Sequence, residues 1–105
     1  MITTETLKNA AFAIECDLWT DPVSKDNYLV KDGAILRMWE PLLDDGDALR
    51  LAVALRIETE FFGCTVYAGP RKTAKYAVDT EFDRDMFSAA RIAIVRAASA
   101  IGESL

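Results

Sequence analysis

Histidine is absent from the 105 residues, so no imidazole is on hand as a base, a proton shuttle or a metal ligand. Cysteine occurs twice, at Cys16 and Cys64, too little for a disulfide framework. Both lie in apolar surroundings and read as reduced, small hydrophobic residues of a cytoplasmic protein. Five glycines and three prolines are too few for a disordered or collagen-like chain. No basic start leads into an apolar stretch, so no signal peptide is expected. The longest run without charge, residues 61–70, falls far short of the roughly 17–25 residues that span a bilayer, so no membrane association is expected. Bases are outnumbered by acids, 12 to 17, and the net charge of −5 counts against nucleic acid as a partner.

Catalytic motifs are missing as well. There is no glycine-rich phosphate loop, no Cys-x-x-Cys pair and no Gly-x-Ser-x-Gly elbow. Glu58 and Glu60 lie two apart, hence on one face of a strand, whereas a hydrolase holds its two carboxylates across a cleft. Asp44-Asp45-Gly46-Asp47 invites a metal reading, but a calcium loop needs ligands at alternate positions over twelve residues and a late glutamate. The expectation is a non-enzyme with no catalytic residue, no cofactor and no metal.

What is present is a 51% apolar chain of one-domain size. Thr3 or Thr4 can cap a helix over 4–18, in which Leu7, Ala10, Ala11, Ile14 and Leu18 form a stripe at helical spacing. Asp21-Pro22 stops it. Residues 20–36 read as an insertion. It is either a short hairpin of Tyr28-Leu29-Val30 and Ala34-Ile35-Leu36 over Lys31-Asp32-Gly33, or a surface loop. A second helix over 44–56 starts at Asp44 or Asp45. With Asp44 as the cap, Asp47 sits where an acid answers the cap's own amide. Its stripe is Ala48, Leu51, Ala52 and Leu55, widened by Leu49 and Val53.

Period-two alternation marks strands at 56–62, 64–68 and 73–78, the latter two joined by a turn over 69–72. Thr80, followed three residues later by Asp83, caps a last helix over 80–104. Alanine dominates this helix between 89 and 100, which lets it approach a neighbour closely. Arg91 or Arg96 on it is placed to pair with an acid of the second helix such as Asp47.

Trp39-Glu40-Pro41-Leu42, the segment Asp44-Asp45-Gly46-Asp47-Ala48-Leu49-Arg50-Leu51-Ala52-Val53, and Ala90-Arg91-Ile92-Ala93-Ile94-Val95-Arg96-Ala97-Ala98 resemble a group of small phage and prophage proteins, the phage alpha-beta-alpha sandwich domain. Trp19 is similar to the aromatic that closes the first helix in that group. The resemblance leaves residues 20–37 outside. It implies a fold and a genomic setting, and transfers no active site.

The reading is therefore an α+β domain spanning 1–105. Three helices pack with a small, mainly antiparallel sheet of three or four strands, in an alpha-beta-alpha sandwich-like arrangement. The expected function is that of a phage or prophage accessory protein acting through contacts with a phage or host protein. A homodimer is expected through Phe61, Phe62, Tyr67, Tyr76 and Phe87, aromatics more numerous than one thin sheet can cover. One alternative is a weak nucleic-acid-binding accessory protein using Arg71, Lys72 and Lys75 at the hairpin tip, with Tyr67 and Tyr76 nearby. Another is an enzyme with an unrecognised carboxylate site. Because the net charge opposes phosphate binding, fluorescence anisotropy at about 0.15 M salt is expected to show no micromolar binding of DNA or RNA. Binding that vanishes in R71E/K72E/K75E would reverse that order.

Overall fold

The first helix stops earlier than its apolar stripe. In the computed structural model, which describes residues 2–62, 65–70, 76–79 and 85–105, and the backbone alone at 62, 70 and 76–79, α1 spans Thr4–Ala13. Thr3 caps it: its hydroxyl accepts from the Thr6 amide at 3.2 Å, while its own amide donates to the Thr6 hydroxyl at 3.2 Å. At the other end Glu15 turns left-handed, with φ 61°. The Cys16 amide then reaches the Ala11 carbonyl at 3.0 Å and the Glu15 amide the Phe12 carbonyl at 2.9 Å. These paired bonds close a helix in the Schellman manner, at a position where glycine is usual. The expected helix over 4–18 is thus too long. Residues 17–20 are instead β1 (Asp17–Thr20), and Leu18 packs against the core from a strand.

The 20–36 segment is integral to the fold. β2 (Asn27–Lys31) pairs antiparallel with β1, and β3 (Ala34–Met38) pairs antiparallel with β2. Asp32 and Gly33 form the two-residue turn, with φ of 53° and 79°. Positive φ at both positions is what a type I′ hairpin requires, and Asp-Gly is among its favoured sequences. Leu29 lies opposite Arg37 but Val30 lies opposite Ile35, so Leu36 is the extra residue of a bulge.

α2 (Asp45–Leu55) ends at Arg56, which is left-handed with φ 55°. β4 (Ile57–Phe62), β5 (Thr65–Pro70) and β6 (Tyr76–Asp79) then form a second antiparallel sheet in that order. α3 (Met86–Glu103) closes the chain. The class is α+β, as the periodicity predicts, but two three-stranded sheets replace the single expected one. The extra sheet arises because β1, read as helix, supplies the strand that converts the 27–38 hairpin into a sheet. The last helix also starts later than position 80. Asp85 has extended backbone and its carboxylate accepts from the Phe87 amide at 3.0 Å. Thr80 and Asp83 lie outside the described residues, as does Phe82.

α3 is the centre of the packing, lying against α1, α2 and all three strands of the second sheet. Its buried face is small: Ala89, Ala93, Ala97, Ala98, Ser99 and Gly102, with Ile94 and Val95. Val66 and Ala68 meet it from β5, and Ala10 and Ala11 from α1 belong to the same cluster. Trp39 and Leu29 carry the first sheet into that cluster.

The closest approach is at Gly102, where an added Cβ would stand 1.9 Å from the Asn9 carbonyl oxygen. The obstacle is backbone, which has no rotamer to yield. Gly102→Ala is therefore expected to cost about 1–3 kcal/mol, toward the upper end, read as a lower urea midpoint at unchanged slope. An unchanged midpoint would mean that α1 and α3 do not touch here.

Candidate functional site

The most ordered polar cluster surrounds the start of α2. Asp44 caps that helix, its carboxylate accepting from the Asp47 amide at 3.1 Å. The spacing predicts that Asp47 answers the cap's own amide, but its carboxylate is bonded elsewhere. Asp47 is 6% exposed, and its Oδ2 accepts from the Glu40 amide at 2.8 Å while Oδ1 accepts from Arg50 Nη2 at 2.7 Å. Pro41 disfavours helical backbone at Glu40, which keeps that residue outside α2. Glu40 in turn accepts from the Asn27 amide at 2.9 Å and from Asn27 Nδ2 at 3.3 Å.

Arg91 bridges from α3. Its Nε donates to the Leu42 carbonyl at 2.9 Å, and its guanidinium pairs with Asp45. The expected partner Asp47 is taken by Arg50. The acids of residues 40–47 are thus engaged in joining elements. Among the described residues no group of three or more His, Cys, Asp or Glu side chains is arranged to hold a metal ion. Cys16 is buried, and that burial pushes its thiol pKa up, away from the reactive thiolate.

The aromatics expected to form one interface do not share one face. Phe61 pairs with Val66 across the ladder, whereas Tyr67 pairs with Glu60, so Phe61 and Tyr67 lie on opposite faces of the second sheet. Both are exposed. Phe87 stands on the first turn of α3, beside α2. The side chains of Phe62 and Tyr76 fall outside the description, as do Arg71, Lys72 and Lys75.

Two exposed apolar surfaces replace the single expected patch. One is a trough between α2 and α3, a hollow of about 230 Å³ walled by Ala48, Leu49, Phe87, Ala90 and Ile94, with the Asp45–Arg91 pair along it. A neighbouring hollow of about 400 Å³ shares Leu49 and Ile94 and adds Val53 and Ile57. Leu49 and Val53, expected to widen the buried stripe of α2, are instead mostly exposed. The signal was in the sequence: a helix with apolar residues beyond one stripe has more than one apolar face. The other surface is the outer side of the first sheet, where Trp19, Tyr28, Val30, Ile35 and Met38 fall on one face by register. Sequence reasoning missed it by assigning Trp19 to a helix end.

Replacing Asp47 with alanine leaves the Glu40 amide without its acceptor inside the fold. The expected cost is about 1–3 kcal/mol in a denaturation series, against about 0.5–2 kcal/mol for loss of the Asp44 cap in Asp44→Ala. Equal midpoints for Asp47→Ala and the parent chain would remove the bridge. Among the described residues no helix is long and apolar enough to cross a membrane. No protein-family model, no curated protein and no solved structure matches the chain.

Proposed function

We propose that this is a non-catalytic accessory protein of phage or prophage origin, working in the cytoplasm through contacts with another protein. The phage setting rests on the sequence likeness of the Trp39–Leu42, Asp44–Val53 and Ala90–Ala98 segments. The observation that carries the contact reading is the apolar trough between α2 and α3, bordered by exposed Leu49, Val53 and Phe87. Its hollow of about 230 Å³ runs into the neighbouring one of about 400 Å³ through shared Leu49 and Ile94. It suits one or two anchoring side chains, as when an amphipathic segment lays its apolar face into a groove between helices. The Asp45–Arg91 pair supplies a polar flank that fixes register more than affinity.

Charge reversal of the trough tests this. In affinity capture from the cells in which the protein acts, the chain is expected to retain a defined partner that Leu49→Glu/Phe87→Glu loses. Both side chains are exposed, so the thermal midpoint is expected to move little. Identical partner sets for the two chains would overturn the reading.

A further inference from the structure

We infer that the outer face of the β1–β2–β3 sheet is where two copies of this chain meet, sheet against sheet. This surface is separate from the α2–α3 trough and from the aromatics of the second sheet. The register puts Trp19, Tyr28, Val30, Ile35 and Met38 on one side of the sheet and Leu18 and Leu29 on the other. Leu18 and Leu29 belong to the core cluster, so the first set faces away from it. Trp19 remains 44% exposed, Ile35 58% and Met38 50%. The Trp19 and Tyr28 rings lie 5.6 Å apart at 40°, an aromatic pair held at the sheet surface.

Area favours a dimer-sized contact. With about 150–250 Å² for a large side chain, these exposures leave on the order of 300–400 Å² of apolar surface on this face. A standard interface takes about 800 Å² from each partner, a little over half of it apolar. The hollow of about 440 Å³ beside Val30 continues the face as a mixed rim, adding exposed Phe12 and Leu105 next to Glu15, Asp17, Lys31 and Asp32. Composition agrees, since aromatics and methionine are enriched in interface centres and charged residues are depleted there.

Charge and shape point to a second copy as the occupant. Residues 17–38 hold four acids and three bases, a net of −1, although the whole chain carries −5. Two copies meeting here bring together segments of low net charge, with most of the negative charge carried elsewhere in the chain. Trp19, Tyr28, Val30, Ile35 and Met38 are uncharged, and Asp17, opposite Val30 on the same face, closes one end of the patch. A twisted three-stranded sheet packs best on one of the same twist, about 10 Å away, and an identical sheet supplies it under two-fold symmetry. Edge-to-edge pairing through β3 is disfavoured, because the Leu36 bulge and Arg37 interrupt that edge.

The test is light scattering coupled to size exclusion at about 5 and 100 μM, where mass action populates a dimer at the higher value. The parent chain is expected at twice its 11.6 kDa mass at 100 μM. Ile35→Glu/Met38→Glu is expected at the single mass, while Leu49→Glu/Phe87→Glu stays double. A second readout uses the parent chain alone: Trp39 is buried in each copy, so concentration-dependent protection from acrylamide quenching reports Trp19. Protection rising with concentration supports the sheet contact. A single mass for the parent chain at 100 μM overturns the inference, as does a dimer that survives the sheet variant with unchanged quenching. A dimer dissolved only by the trough variant also overturns it, and would move self-association to the α2–α3 surface. A trough that loses its captured partner while the dimer persists separates the two readings.

Discussion

The Asp47 carboxylate is the constraint through which the two halves of the fold are joined. It accepts the Glu40 amide from the incoming segment and the Arg50 guanidinium from its own helix. Glu40 extends the chain of bonds to Asn27 on β2, and the Trp39 amide reaches the Asn27 carbonyl at 2.8 Å. Trp39 itself is fully buried at this junction. A continuous run of hydrogen bonds thus links the start of α2, the segment after β3 and the side of β2, with the buried Asp47 carboxylate at one end. A buried acid is tolerable only with its oxygens satisfied, and here both have donors.

The second constraint is the smallness of α3. Half of its inward face is alanine and it ends on glycine, so α1 can approach to backbone contact at Asn9. Small residues allow close helix packing but bury little area per residue. Much of the chain's bulky apolar surface is then displaced outward, onto Leu49 and Val53 of α2, Phe87 of α3, and Trp19, Ile35 and Met38 of the first sheet. The same choice that tightens the core leaves two apolar faces uncovered.

The sequence was most informative where a local signal and the tertiary demand agreed. The Asp44 cap, the Asp32-Gly33 turn and the alternation in β4 each announce themselves in three to six residues. The fold was least legible where a helical period ran past a helix end. Leu18 sits four residues beyond Ile14, and that spacing looks the same whether Leu18 faces inward from a helix or a strand. The stop is made by Glu15, a residue with no special preference for its left-handed backbone, so no composition cue marks it. The trough was partly readable as excess apolar residues on α2. The sheet face was not, since it exists only once β1 joins the hairpin. The Asp47 bridge was hidden for another reason: its partner is a backbone amide seven residues away, which side-chain pattern does not reveal.

Glu15 also marks where local pattern and tertiary structure disagree. Residues 4–18 carry a helical pattern without an intrinsic terminator, so the period alone does not separate a continued helix from the strand that β1 becomes. The native arrangement takes the strand because β2 offers its ladder to residues 17–20 and Leu18 finds the core. The β2–β3 hairpin, with a turn encoded in its own two residues, needs no such help. The final length of the first helix thus depends on strand pairing and core contacts that its own residues do not encode. Local conflict of this sort is frustration in the landscape sense, confined here to one four-residue strand.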